Sequence, residues 1–241
     1  VEQEEEEKMF KKVGSTMEGI GAALRHKIMR DGTFKTAKDI PALAPYIGNV
    51  SMYLNKLDHT KRVMIEGTQG YALSLNHGPY PFCTSRDIIA SSMLSDVGLA
   101  PSLCTNVIMV IRSYPIRVAG NSGPMCGKEL EWDEVAKRSG IKYDLAEAER
   151  TTVTKRIRRV CEFDMELVKE ACLVNRPRQL VLTFADYLNI QNLGVTVYKD
   201  LTPNSRKFIE EIEQETNTPV TLIKTGIEFE HIIDRRADIR M

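Results

Sequence analysis

The residues that could carry chemistry in this 241-residue chain fall into four segments, and the first is a glycine-rich run. It spans residues 14–21 and reads GSTMEGIG. Glycine lets the backbone approach a phosphate closely, and the serine and threonine hydroxyls add hydrogen-bond donors. The pattern is weak by itself, because glycine-rich turns are common, and a plain tight turn is the alternative interpretation.

The second segment is a loop that combines amide and hydroxyl groups with two prolines. It consists of residues 66–70 (EGTQG), 78–81 (GPYP) and 84–87 (TSRD). Gln69 offers both donors and an acceptor, which suits the edge of a nucleobase, whereas Thr84 and Ser85 offer hydroxyls to a phosphate. The prolines restrict the loop between them, as a preorganised site requires. A rigid surface loop without chemistry explains the same pattern equally well.

The third segment is strongly basic. Residues 151–159 (TTVTKRIRR) contain three threonines and four cations in nine positions of an otherwise neutral chain. Arginine forks bind carboxylates and phosphates through two parallel hydrogen bonds, so this segment predicts an anion site. A solvated charge run or a nucleic-acid-binding arm is the alternative. No aromatic residue interrupts the run, which disfavours nucleic acid.

The fourth segment, residues 182–186 (LTFAD), places an acid directly after a predicted buried strand. Asp186 could accept two N–H bonds from a guanine edge, or it could cap a helix. Metal sites are not expected in this chain, since its histidines lack a ligand spacing such as H-E-x-x-H. We expect all four to be structural: His26, His59, His77 and His231.

The elements that must position these segments alternate between strands and helices. Short apolar runs predict strands at residues 63–65, 107–111, 180–184 and 220–223, and their uniform character is typical of a parallel sheet covered on both faces. Apolar residues at helical spacing predict helices at residues 164–173, capped by Asp164, and 204–215. This order indicates an α/β fold, in which ligands bind at the carboxyl ends of the strands.

Composition excludes several classes of protein. Lys plus Arg and Asp plus Glu both total 33, so no overall field draws the chain to nucleic acid or to an anionic membrane. No apolar run approaches the ~20 residues of a membrane helix, and no secretory signal opens the chain. Five scattered cysteines fit reduced thiols. We expect one domain over residues 1–241 and a cytoplasmic location.

Taken together, the segments resemble those of the adenylosuccinate synthetase family. The similar motifs occur in the family's order: residues 14–21 match G-T-T-G-x-G-I-G, residues 66–85 match E-G-A-Q-G…G-T-Y-P-x-V-T-S, residues 154–159 match T-G-R-R-R-R, residues 182–186 match L-T-K-L-D, and residues 224–226 (KTG) match S-T-G. The resemblance covers nearly all of residues 14–234.

This resemblance implies a fold and an activity. The fold is α/β and P-loop-NTPase-like, with a mostly parallel central sheet flanked by helices. The activity is a ligase reaction of purine biosynthesis: the 6-oxo group of IMP is phosphorylated by GTP or ATP with Mg²⁺, and the amine of L-aspartate then displaces the phosphate. Such enzymes are homodimers that bind neither nucleic acid nor membrane.

The resemblance also implies roles for individual residues. The purine monophosphate would contact Thr16, Gln69, Thr84 and Arg156, with Gln69 also catalytic and Arg30 arriving from a dimer partner. Aspartate would contact Thr151, Thr152, Thr154, Arg156 and Arg158. The triphosphate would contact Arg158, Asp186, Lys224 and Gly226.

Three departures from the family pattern leave alternatives open. The family's G-D-E-G-K-G-K loop and catalytic histidine do not occur here, so we expect the N-terminal third to be missing and the chain to be inactive alone. Phe184 replaces the lysine of L-T-K-L-D. Residues 117–124 (RVAGNSGP) and 151–155 are closer to archaeal enzymes and to phage aminoadenylosuccinate synthetases, which act on dGMP. The alternatives are therefore a dGMP-specific enzyme and a non-catalytic nucleotide-binding relative.

Overall fold

The computed structural model describes residues 2–14, 18–58, 60–151 and 155–239. The chain divides into two compact units. The N-terminal unit comprises residues 1–105 with 121–123, and the C-terminal unit comprises residues 106–120 with 124–241. Among the described helices, none has the combination of length and apolar character that a membrane crossing needs.

The described part of the N-terminal unit is built from helices, short 3-10 turns and loops. Its α-helices are α1 (Glu2–Val13), α2 (Ile20–Met29), α3 (Val50–Asn55) and α4 (Ala90–Val97). Few of its apolar side chains are buried, and these include Ala22, Tyr71 and Ile88. The strand that the sequence predicts at residues 63–65 does not form: the segment is irregular and Met64 is 86% exposed. A strand needs a hydrogen-bonded neighbour, and the described residues provide none there.

The C-terminal unit contains the sheet that the sequence predicts. Its seven strands among the described residues are β1 (Ile108–Arg112), β2 (Ile116–Arg117), β3 (Glu129–Leu130), β4 (Arg159–Cys161), β5 (Gln179–Thr183), β6 (Val220–Lys224) and β7 (Ile232–Asp234). The larger sheet has the order β1-β5-β6-β7, with the first two pairings parallel and the last antiparallel. The three apolar runs at residues 107–111, 180–184 and 220–223 are therefore confirmed as strands of a mostly parallel sheet.

Four helices accompany these strands: α5 (Trp132–Ser139), α6 (Leu145–Ala148), α7 (Met165–Asn175) and α8 (Pro203–Thr216). The predicted cap of α7 is present, since the Asp164 side chain accepts a hydrogen bond from the Leu167 N–H at 3.0 Å. Helix α8 ends as expected, with Asn217 in the left-handed conformation before Pro219. The main core packs α7 and α8 against the sheet and includes the fully buried residues Leu180, Leu182, Ile209, Ile212, Val220 and Ile223.

The expectation that both faces of every strand are covered is wrong for β1. Ile108 is 50% exposed and Val110 is 64% exposed, whereas Ile111 is buried. Because alternate side chains of a strand point to opposite faces, β1 buries one face and presents the other to solvent in the described chain. An unbroken apolar run does not reveal this difference, since both faces have the same composition.

A second, antiparallel sheet has the order β2-β4-β3. It packs over a separate core that contains Leu130, Trp132, Val135, Ile141, Leu145, Val160 and Tyr187. Strand β4 begins at Arg159, the last residue of the basic segment, and Tyr187 lies just beyond the end of β5. This small core therefore joins the start of β4 to the end of β5, which fixes two of the predicted functional segments relative to each other.

Candidate substrate-binding site

The basic segment belongs to a closed loop, which we name the arginine loop (residues 149–158). Thr151 N–H donates to the Arg156 carbonyl at 2.8 Å, and Arg156 N–H donates to the Thr151 hydroxyl at 3.1 Å. Arg150 and Ile157 form an isolated antiparallel bridge below this pair. Thr151 is buried and its hydroxyl already serves the loop backbone, so it shapes the loop. The tip, including Thr152 and Thr154, lies outside the described residues.

The two predicted substrate arginines of this loop lie in different surroundings. Arg156 is exposed, and its guanidinium passes Gly120, where an added Cβ would lie 3.6 Å from Nη1. Arg158 is partly buried, and its Nη1 donates to the Arg150 carbonyl at 3.1 Å. Its backbone is fixed as well, because the indole N–H of Trp132 donates to the Arg158 carbonyl at 2.7 Å. Arg158 therefore has a defined direction at the base of the loop.

A buried carboxylate, Glu149, organises this region. It is only 3% exposed. Oε2 lies 3.4 Å from Arg158 Nη1, while Oε1 accepts the Tyr187 hydroxyl at 2.9 Å and a close hydrogen bond from Arg112 Nη2. A buried acid with two cations and a hydroxyl donor is well compensated, which is the condition for burying such a charge. Burial and the neighbouring Glu149 charge raise the pKa of Tyr187, which keeps its hydroxyl protonated as a donor.

Arg112 extends this hydrogen-bond network to the end of β5. It is the last residue of β1 and pairs in register with Thr183. Its guanidinium carbon lies 3.5 Å from the centroid of the Phe184 ring, a cation–π contact. Burial lowers the pKa of Arg112, and the charge of Glu149 opposes that effect. Among the described residues no group accepts a hydrogen bond from Arg112 Nε, which leaves one donor of this buried cation unused.

Asp186 lies two residues beyond Phe184, after the carboxyl end of β5 as the sequence predicts. It is 5% exposed, and burial raises the pKa of its carboxyl group. The nearby charges of Arg112 and His231 act in the opposite direction. The carboxylate accepts a hydrogen bond from its own backbone N–H, and no other described donor reaches it. Asp186 therefore keeps acceptor capacity that a ligand with N–H groups could use.

The connection between β6 and β7 brings Gly226 close to this acid. A Cβ at Gly226 would lie 2.5 Å from His231 Nδ1 and 2.8 Å from Leu193 Cδ1, so only glycine fits. His231 Nδ1 is buried and has no hydrogen-bond partner among the described residues. Lys224 reaches the carbonyl of Glu228 through its ammonium group. Asp186, Gly226 and His231 thus form one neighbourhood, and sequence reasoning identified the first two of these.

The N-terminal unit holds the remaining predicted residues. Gln69 is exposed and has a left-handed backbone (φ 64°). Thr84 N–H donates to the Leu73 carbonyl at 2.7 Å, which fixes the hydroxyl-bearing segment of the second loop. Arg30 is exposed and ends α2 in a left-handed conformation (φ 54°). Thr16 lies outside the described residues.

The loop that contains Thr84 is held by Asp87 and Ser74. Asp87 accepts hydrogen bonds from the Ser74 hydroxyl at 2.7 Å and from Asn76 N–H at 3.0 Å, and these bonds lower its pKa. The Ser74 hydroxyl in turn accepts from Ile88 N–H at 2.8 Å. His77 stacks on Tyr71 with ring centroids 5.2 Å apart, which fits the structural role expected for it. The loop is thus internally braced, as its prolines predict.

Sequence reasoning missed the residues that connect the predicted ones. Glu149 contacts Arg112 and Tyr187, which are 37 and 38 positions away in the chain, so no local motif marks it. A cation at the end of the apolar run 107–111 was the available signal for Arg112. In the described part of the chain, no group of three or more His, Cys, Asp or Glu side chains could hold a metal ion. The described residues therefore do not supply a preformed cluster of such ligands for the Mg²⁺ that the family resemblance implies.

Comparison with known proteins finds relatives in one enzyme family. A model of the adenylosuccinate synthetase family matches residues 33–197. The adenylosuccinate synthetase of Pyrococcus horikoshii is 41% identical over 229 residues, covering 95% of this chain and 64% of that protein. The enzyme of Methanocaldococcus jannaschii is 39% identical, covering 97% of this chain and 65% of that protein. The chain thus spans about 64% of the length of curated relatives.

Two solved structures are similar. One is the succinoaminodeoxyadenylate synthetase of cyanophage S-2L, bound to dGMP and to dATP as an energy donor; it is 27% identical with a TM-score of 0.71, over 97% of this chain and 65% of that one. The other is the fully ligated adenylosuccinate synthetase of Plasmodium falciparum, with a TM-score of 0.79 at 19% identity over 98% of this chain and 74% of that one, which shows the shared fold. On the extent of the family match and these similarities, the chain belongs to the adenylosuccinate synthetase family.

Proposed function

We propose that this chain forms the larger part of a ligase that joins L-aspartate to the 6-oxo position of IMP at the cost of a nucleoside triphosphate. The observation that carries the proposal is the shared network in the C-terminal unit. There, Glu149 holds Arg158 of the arginine loop and also Arg112, whose guanidinium covers Phe184 beside Asp186. One network thereby links the loop that we propose to bind aspartate with the segment of the acid that we propose to accept the base, which supports a reaction between an amino acid and a nucleotide.

The proposed chemistry has two balanced steps. In the first, N1 of IMP loses its proton, the γ-phosphoryl group moves to the 6-oxygen, and a nucleoside diphosphate leaves. In the second, the aspartate amine forms a bond to C6, the C6–O bond breaks, inorganic phosphate leaves with that oxygen, and the amine loses a proton. The protein contributes mainly positioning and compensation of developing negative charge, for which arginines are suited.

The residue roles follow from the sequence motifs and remain proposals. The arginine loop would hold aspartate through Thr151, Thr152, Thr154, Arg156 and Arg158. Arg158, Asp186, Lys224 and Gly226 would contact the triphosphate, whose base would donate N–H bonds to the free acceptor positions of Asp186. Thr16, Gln69, Thr84 and Arg156 would contact IMP, with Gln69 catalytic.

The assembly and its co-substrates are also proposed. The motif match of Arg30 supports a homodimer in which this arginine reaches the neighbouring subunit's site, and its exposure permits that reach. We propose GTP or ATP as phosphoryl donor, Mg²⁺ as the accompanying cation held by groups other than the described residues, and a cytoplasmic location. We assign neither step of the reaction to Mg²⁺.

A dGMP-specific reaction is the second candidate. It is favoured by the similarity to the phage synthetase, whose structure holds dGMP and dATP. The replacement of the family's lysine by Phe184 also leaves the choice of triphosphate base open. We favour IMP, because the archaeal adenylosuccinate synthetases are about 40% identical to this chain and the phage enzyme is 27% identical.

The test is a full-length enzyme carrying these 241 residues, incubated with aspartate, Mg²⁺ and either IMP or dGMP, each crossed with GTP and ATP. We expect a succinyl-nucleotide from IMP, and none from the 241 residues alone. Product from dGMP but not from IMP would establish the second candidate. No product in any combination would contradict both and would favour a non-catalytic nucleotide-binding relative.

A further inference from the structure

The surroundings of the Glu149 carboxylate indicate more than a structural role. It is 3% exposed, yet both of its cationic partners are only partly covered: the side chains of Arg112 and Arg158 are 17% and 26% exposed. Each oxygen is used, Oε1 by Arg112 and Tyr187 and Oε2 by Arg158. The two guanidiniums are close enough that the charge of Arg158 lowers the pKa of Arg112. Without the carboxylate, they would repel each other.

We propose that Glu149 is the positioning residue of the arginine loop: its buried carboxylate directs Arg158 toward the aspartate carboxylate and couples that direction to Arg112 at the end of β1. The inference rests on the proposed function, since it assigns Glu149 to the same site. Glu149 touches no substrate in this account. It acts by holding Arg158 on one side, so that the remaining N–H groups of the fork are presented in a fixed orientation.

The backbone contacts support a positioning role. Arg158 N–H donates to the Glu149 carbonyl at 3.1 Å, so the residue that anchors the guanidinium also anchors the backbone that carries it. Arg158 Nη1 is shared between the carboxylate and the Arg150 carbonyl. Among the described residues, the contacts that constrain this side chain come from one edge of the loop, Glu149 and Arg150. An arginine oriented before the substrate arrives loses less side-chain entropy on binding, which lowers the aspartate concentration needed for half-saturation.

The test compares Glu149→Gln with a matched control in the full-length enzyme. Glutamine keeps the size of the side chain and an acceptor for Arg158, but removes the charge that separates the two guanidiniums. Glu129→Gln is the control, because Glu129 also pairs with an arginine of the same small sheet, Arg159, through contacts of 2.6 and 2.7 Å, but lies at the surface. We expect Glu149→Gln to raise the KM for aspartate about tenfold and to change kcat less than about threefold. The control should retain wild-type values.

A rescue experiment separates positioning from stability. Adding Arg112→Met to Glu149→Gln removes the uncompensated cation beside Arg158, and we expect the KM for aspartate to recover at least partly. A merely structural role predicts lower thermal stability in Glu149→Gln with an unchanged KM for aspartate, and that result would overturn the inference. If Glu149→Gln does not fold, Tyr187→Phe removes one donor to the same carboxylate and keeps the ring. It should raise the KM for aspartate roughly threefold, and an unchanged value would again overturn the inference.

The outcomes also distinguish this inference from the proposed function. If the wild-type full-length enzyme forms no succinyl-nucleotide, the proposed function fails and the role of Glu149 in it fails too. If the wild-type enzyme is active and the folded Glu149→Gln variant has the wild-type KM for aspartate, only the positioning inference fails.

Discussion

Asp186 is a carboxylic acid in a position where its charged form is poorly solvated. Burial raises its pKa above the ordinary value of 3.8, so the folded protein binds this proton more tightly than the unfolded chain does. Because proton binding is linked to folding, this shift sets how stability changes with pH. The contribution of this group to stability is fully present below pH 3.8 and is lost as the pH rises through the folded-state pKa. Above the folded-state pKa, the charge of this carboxylate therefore destabilises the protein.

Replacing Asp186 by asparagine, its neutral isostere, tests whether the charge of this carboxylate destabilises the folded protein. We expect Asp186→Asn to be more resistant to urea than the wild type at pH 7, by on the order of 1 kcal/mol. The advantage should shrink as the pH falls toward 4, because the wild-type carboxyl group then takes up its proton. Urea unfolding of both proteins between pH 4 and pH 7.5 measures this difference. A variant that is less stable than the wild type by the same margin at every pH would contradict the assignment.

At the level of single residues, the sequence predicts those that belong to local motifs. Asp186 lies after β5 and Gly226 after β6, as expected, because each follows an apolar run within a few positions. Glu149 and Arg112 were not predicted, since their roles depend on pairing between distant parts of the chain. A single sequence shows which residue types are available for such a network, but it does not show which of them lie close together.

At the scale of elements, the loop around Thr84 illustrates how a flexible-looking segment becomes rigid. Ser74 is completely buried, and its hydroxyl bridges Asp87 and the Ile88 N–H. The described part of this loop forms no β-strand, and the Ser74 bridge helps to hold it in place. The bridge holds the two ends of the loop, residues 74 and 87–88, next to each other, and so adds to the backbone bond from Thr84 N–H to the Leu73 carbonyl.

We expect Ser74→Ala to destabilise the protein by about 1–3 kcal/mol, because it leaves the buried Ile88 N–H without its partner and removes one of the two hydrogen bonds to Asp87 Oδ1. In the full-length enzyme it should also raise the KM for the purine monophosphate more than the KM for aspartate. Thermal unfolding and steady-state kinetics measure the two effects. Ser95→Ala serves as the control, since Ser95 is an exposed residue of α4. Equal stability of the two variants would refute the bracing role of Ser74.

Elements were predicted well where they are long and bury one clear face. Helices α7 and α8 and strands β1, β5 and β6 match the expected segments within a few residues. The short strands β2, β3 and β4 were not predicted, because two or three residues cannot show a period. The strand expected at residues 63–65 does not form. The segment is apolar, but strand formation also depends on a hydrogen-bonded neighbour, which composition does not specify.

At the scale of the whole molecule, the α/β class and the mostly parallel sheet follow from the alternation of elements, whereas the strand order β1-β5-β6-β7 does not. Strand order is set by long-range pairing, which no local pattern encodes. The proposed function adds what periodicity cannot supply, namely a reaction in which the arginine loop and the acid after β5 would contact the same nucleoside triphosphate. The central claim is that the 6-oxygen of the purine is activated by phosphorylation before the amine of aspartate displaces it.

Oxygen labelling tests this claim directly. The full-length enzyme is given aspartate, Mg²⁺, a nucleoside triphosphate and IMP labelled with ¹⁸O at the 6-position, and the inorganic phosphate is analysed by mass spectrometry. The account predicts that the label leaves with phosphate, one ¹⁸O for each succinyl-nucleotide formed. If dGMP is the substrate, the label at its own 6-position should behave in the same way. Formation of the succinyl-nucleotide with unlabelled phosphate would contradict the account.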